Sequence, residues 1–74
     1  MDELKTVCDL HSTVRWFNGK TGIGFLVGPE GQDIFCHFSF IVMEGFKTLA
    51  KNQEVVYDLV ETPRGLQAHN IRPI

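Results

Sequence analysis

The chain has 74 residues, 43% of them hydrophobic and 22% charged, with a formal net charge of −2. That length supports one small core and leaves no room for a second, and no apolar run approaches the ~18 residues that span a bilayer. The negative balance excludes a protein that grips nucleic acid mainly through phosphates.

Met1-Asp2-Glu3-Leu4-Lys5 has no basic stretch leading into an apolar one, so no secretory signal is expected and a cytoplasmic location is the reading. Residues 1–12 show no clear period and are expected to form a flexible N-terminal extension, with the domain proper over 13–74. The two cysteines, Cys8 and Cys36, are too few for a disulfide scaffold and are expected as free thiols.

A first strand is predicted over 13–17. Strict alternation places Val14 and Trp16 on one face, which conflicts with an inward Val14 and an exposed Trp16. A bulge near Trp16 resolves the conflict, and the placement of Phe17 depends on it. Asn18-Gly19 makes a turn. In the next strand, Gly22-Ile23-Gly24-Phe25-Leu26, Ile23 and Phe25 share a face while Gly22 and Gly24 point inward, where glycine lets a small barrel coil. A turn-rich run over 28–33 leads to a third strand, on which Phe35 and His37 share a face opposite Ile34 and Cys36. Residues 38–52 form a long connection with one apolar run at 40–43. A fourth strand follows over 54–60, a turn at 62–65, and a last strand over 66–71. No helical period or internal repeat appears. Short strands divided by turn signals predict an all-β fold, a five-stranded antiparallel barrel of the oligonucleotide-binding (OB) type. Its expected core is Val14, Leu26, Ile34, Cys36, Ile41, Leu49, Val55, Tyr57, Leu59, Ala68 and Ile71. A domain this small has a net stability of only ~3–5 kcal/mol.

The aromatic residues carry the functional reading. Burying Trp16, Phe25, Phe35, Phe38 and Phe46 together with the aliphatic set overfills a barrel of this size. They are therefore expected on the surface, near Arg15, Lys20, Lys47 and Arg64, as a row of rings on which the bases of a single strand stack. The acids Asp2, Glu3, Asp9, Glu54, Asp58 and Glu61 fall mostly elsewhere, giving an acidic back and a mildly basic front. By parity with Phe35, His37 stacks on a base or hydrogen-bonds its edge. No second group at a suitable spacing orients it as a general base, so catalysis is not expected. Cys8-x-x-His11 with Cys36-His37 offers metal-ligand residue types, but alternation sends Cys36 and His37 to opposite faces. No metal or cofactor is expected.

Four ordered segments also carry a resemblance. Arg15-Trp16-Phe17-Asn18, then GIGFL at 22–26, then Asp33-Ile34-Phe35-Cys36-His37-Phe38-Ser39, then Gly45-Phe46-Lys47-Thr48-Leu49 resemble the successive signatures of a cold shock domain. The two central ones correspond to its paired ribonucleoprotein motifs, and the match runs from residue 13 to residue 71. The resemblance implies binding of single-stranded RNA or DNA with low sequence specificity, and a role in keeping RNA single-stranded or modulating transcription and translation. It implies that Trp16, Phe17, Ile23, Phe25, Phe35, His37, Phe38 and Phe46 meet bases, with Arg15, Lys20, Lys47 and Arg64 near phosphates. It further implies that Asp33 and Gln67 hydrogen-bond an exposed base. The chain departs from the family at Thr21, where lysine is usual, and at Ile23, where an aromatic is usual. Phe40 stands where a small residue is common and either adds a ring or packs, and Leu66 replaces a common proline. A monomer is the expected state, with a domain-swapped dimer as the alternative. Because barrels of this type also bind oligosaccharides and proteins, a diverged protein-interaction module is the second reading.

Overall fold

The computed structural model describes residues 6–45 and 47–74. Five strands, β1 (Thr6–Asn18), β2 (Ile23–Val27), β3 (Asp33–His37), β4 (Glu54–Thr62) and β5 (Gly65–Pro73), close a barrel in the order β1-β2-β3-β5-β4. A single 3-10 turn, Phe38–Phe40, follows β3. Four neighbouring pairs are antiparallel, and the barrel closes where β3 meets β5 in parallel at Phe35 and Gln67. No helix among the described residues is long and apolar enough to cross a membrane.

Alternation sets the inside. Val14, Leu26, Ile34, Cys36, Ile41, Leu49, Val55, Tyr57, Ala68 and Ile71 are buried as expected. Leu59 is the exception: it is half-buried and packs against the core from its edge, because it lies toward the end of β4, where that strand faces Val7 and Ala68. The bulge expected near Trp16 is present, since the β1–β2 register shifts between Val14, paired with Leu26, and Trp16, paired with Phe25. That shift lets Val14 stay fully buried while Trp16 turns out.

The strand pairing does not begin near residue 13. Thr6 to Ser12 continue β1 and pair with β4, Thr6 against Val60 and Ser12 against Val55. A second register shift between Val7 and Leu10, with Asp9 at φ 60, removes the period that alternation needs to be legible. The bulge is pinned from outside: the Asp9 N–H donates to Asp58 Oδ1 at 3.0 Å, and Arg72 reaches Asp9 Oδ1 at 2.9 Å. Met1 to Lys5 lie outside the described residues.

Cys36 is buried against Gly24 and Cys8 is exposed on β1, so the two thiols differ in chemistry. Burial pushes the Cys36 thiol up to about 11 from an ordinary 9.0, against a smaller downward pull from a backbone hydrogen bond with Gly24. A protonated buried thiol is a poor nucleophile. In native protein a maleimide is therefore expected to label Cys8 quickly and Cys36 only on unfolding. Comparable fast labelling of both thiols overturns the register of β3. The same shift has a pH consequence. Between about 9 and about 11 the unfolded chain loses the Cys36 proton and the native state keeps it. This contribution to stability is therefore whole below that window and lost as pH rises through it.

Candidate nucleic-acid interface

The platform rests on β2 and β3. Phe25 pairs with Phe35 and Ile23 with His37, so four side chains share the outer face of one antiparallel ladder. The bulge in β1 adds Trp16 beside Phe25, with ring centroids 5.5 Å apart, and Phe25 meets Phe35 edge-on at 6.1 Å. Trp16 is 44% and Phe38 45% exposed, large values for rings in a chain with so few residues to spend on a core. His37 and Phe38 lie 4.5 Å apart and tilted. The expected sharing of one face by Ile23, Phe25, Phe35 and His37 is present.

Turn chemistry places the rest. The Asn18 side chain accepts from the Lys20 and Thr21 N–H groups at 2.9 and 3.3 Å, closing the β1–β2 turn. Gly22 adopts φ +75, and its carbonyl accepts from the Phe38 N–H at 2.8 Å. That bond lays the Phe38 ring directly over Gly22, where any Cβ would collide with it. Beside them a cleft of about 370 Å³ is lined by Lys20, Thr21, Gly22, Phe38 and Lys47. Among the described residues its lining brings one ring together with two lysines.

His37 is held in one tautomer. The Ser39 N–H donates to its Nδ1 at 3.3 Å, and the Ser39 hydroxyl lies 2.8 Å from the same atom. An Nδ1 that accepts leaves the proton on Nε2, free to donate outward.

Three expected members are placed differently from the rest. Phe17 is half-buried and packs against the core behind Gly24 rather than joining the ring row. Arg15 and Asp33 face each other as an ion pair, and Arg15 also donates to the Gly31 carbonyl at 3.0 Å. Each was expected to meet the ligand independently, but here each occupies the other. Arg64 sits exposed in the turn between β4 and β5. Gln67 is half-buried opposite Phe35 and accepts from the His69 ring at 3.0 Å. Phe46 lies outside the described residues.

The structure resolves the two readings of Phe40 and brings in a residue the sequence did not single out. Phe40 packs against the core and also stacks on His69, with centroids 4.1 Å apart and planes 17° apart. Parity with Gln67 on β5 was the one signal for His69, and its meaning depended on a ring far away in sequence.

Residues 10–74 match the family model described as the "Cold-shock" DNA-binding domain. The chain belongs to the cold shock domain family. It is 49% identical over 63 residues to cold shock protein 2 of Lactiplantibacillus plantarum, covering 85% of this chain and 96% of that protein. It is 52% identical over 59 residues to the major cold shock protein of Streptococcus pyogenes serotype M1, covering 80% and 88%. The family match covers all five strands of the barrel except the first residues of β1, and Ile23 is the place to probe its ring row. Ile23 is 36% exposed on the same face as Phe25, and an aliphatic group there offers no plane. Ile23→Phe is expected to tighten oligo-dT binding by ~1 kcal/mol or less, since a full stack is worth ~1–3 kcal/mol and isoleucine already supplies part of it. Stability should hardly move. A loss of ~1–3 kcal/mol, the mark of overpacking, instead puts Ile23 inside.

Proposed function

We propose that this protein binds single-stranded RNA or DNA with low sequence specificity, stacking successive bases on Trp16, Phe25, Phe35, His37 and Phe38. The observation that carries this reading is the outer face of β1, β2, β3 and the 3-10 turn, where two runs of rings, Trp16–Phe25–Phe35 and His37–Phe38, lie next to a cleft with Lys20 and Lys47. Every base has a π-face, so such a row is indifferent to sequence. Ile23 adds apolar contact. The Nε2–H of His37 and the amide of Gln67 read base edges in this reading. Asp33 does the same once the ligand competes with Arg15 for its carboxylate, which is inexpensive because an exposed ion pair contributes little. Phe17 supports the platform from behind.

In this reading the protein acts without catalysis, as a cytoplasmic monomer that keeps RNA open or modulates transcription and translation. Among the described residues no cluster of His, Cys, Asp or Glu is arranged to hold a metal. Asp9 and Asp58 gather around Arg72, and Glu54 lies beside His11. A duplex, whose bases are already stacked on one another, has nothing to offer the ring row.

The test uses the single tryptophan. Oligo-dT or oligo-U should quench Trp16 fluorescence, and duplex DNA should leave it unchanged. With Asp33 turned to the ligand, the cations for phosphates are Arg15, Lys20, Lys47 and Arg64. About four counterions released give a slope of log K against log salt no steeper than roughly −3 for a single strand. A steep slope with equal binding of duplex means that charge, and not stacking, governs the interaction and rejects this reading.

A further inference from the structure

We propose that Phe40 and His69 form an additional base-binding step, which carries the single-strand path off β3 and across the barrel seam onto β5. This rests on the stacking function proposed above and extends its footprint. The rings form a row rather than a scatter: Phe38 lies 4.5 Å from His37, Phe40 lies 6.1 Å from His37, and His69 lies 4.1 Å from Phe40. Backbone pairing with β5 holds the last pair in register with the platform. The Val42 N–H donates to the Ile71 carbonyl at 2.7 Å, and Ile41 bridges Ile71, so the segment after the 3-10 turn is tied to β5. On β5 itself, Gln67 and His69 flank the inward Ala68 and therefore share the outer face that begins opposite Phe35.

Packing alone does not account for this arrangement. Phe40 covers the core edge, but covering the core requires no second ring stacked upon it. His69 is half-buried, held flat by Phe40 and fixed at its edge by the hydrogen bond from Nε2–H to Gln67 Oε1 at 3.0 Å. A ring already immobilised loses little further freedom when a ligand stacks on it. The chemistry at this end suits a base better than a phosphate. The cross-strand neighbour of His69 is an acid, Asp58, whose carboxylate meets the Asp9 N–H, Asn70 and Arg72. With Nε2 donating to Gln67, His69 presents a plane and one acceptor, Nδ1.

The experiment is a length series of oligo-dT, lengthened one nucleotide at a time and titrated by Trp16 quenching against native protein, His69→Ala and Phe40→Leu. Phe40→Leu keeps apolar cover over the core while removing the plane, and thermal unfolding confirms that each variant is folded. Native affinity should rise with length until the last step is filled. Both variants should match native protein on short oligomers and lose about 5- to 150-fold on long ones, the range of one base–aromatic stack. Their affinity should stop rising about one nucleotide earlier. Native-like affinity of both variants at every length makes the pair a packing feature and overturns the proposal, while the stacking function stands. Failure of oligo-dT to quench the native protein at all removes both.

Discussion

Gly24→Ala is expected to cost ~3 kcal/mol or more, most of the net stability available to a domain of this size. The cause is space, not backbone conformation. A Cβ at position 24 would enter the Trp16 carbonyl oxygen and stand 2.7 Å from Phe17 Cδ1 and 2.9 Å from Phe17 Cα. Two of those three atoms are backbone of β1, and they cannot swing aside as the tip of a flexible side chain does. Relief requires separating β1 from β2 where Phe17 pairs with Gly24, directly beside the bulge that turns Trp16 outward. Gly31→Ala makes the contrast. Position 31 has φ +83 but nothing within 4 Å, so an added methyl meets only backbone strain of ~1–2 kcal/mol. Chemical denaturation of the two variants measures the difference. A Gly24→Ala variant as stable as native protein overturns the close approach of these strands.

What the sequence made legible and what it hid have the same physical origin. Alternation is a local property, and where the chain obeys it, as in β2 and β3, the faces of Ile23, Phe25, Phe35, His37 and Cys36 could be read directly. Even the bulge at Trp16 was legible, because local parity conflicted with the chemistry of the side chains. Thr6 to Ser12 offered no such signal. Their strand is held by backbone bonds to β4 and by an Asp9–Arg72–Asp58 cluster whose members lie far apart in sequence. A left-handed residue at Asp9 breaks the period that would have shown them as a strand.

The same applies to the site. Arg15 and Asp33 each looked like a ligand group, and only the fold shows that they face one another. Phe40 and His69 stack across the contact between the 3-10 turn and β5, which no periodicity encodes. The composition argument, that the rings overfill the core, concerned Trp16, Phe25, Phe35, Phe38 and Phe46 and did not bear on Phe17. Phe17 went to the core side because it follows Trp16 in regular alternation, opposite Gly24, once the bulge between Val14 and Trp16 has turned Trp16 to the surface.

Phe35→Ala is expected to weaken single-strand binding by ~1–3 kcal/mol, about 5- to 150-fold, while leaving the fold nearly intact. Phe35 stands at the centre of the interface. It meets Phe25 edge-on at 6.1 Å, neighbours His37 on its own strand, and faces Gln67 across the β3–β5 seam. Removing its ring therefore breaks the row in the middle, whereas losing Trp16 removes only an end. The stability cost should be limited to the aromatic pair with Phe25, ~0.5–1.5 kcal/mol, because the ring is half-buried and lies outside the core cluster. Leu26→Ala should behave in the opposite way. Leu26 is fully buried on the inner face of β2, so truncation leaves a cavity and costs ~2–5 kcal/mol of stability. The fraction that still folds presents an unaltered surface and should bind oligo-dT with native affinity. Measuring unfolding and oligo-dT titration on both variants separates the two faces of the barrel. If Phe35→Ala unfolds the protein while its folded fraction binds normally, the faces of β3 are inverted, and Phe25 and His37 leave the interface with it.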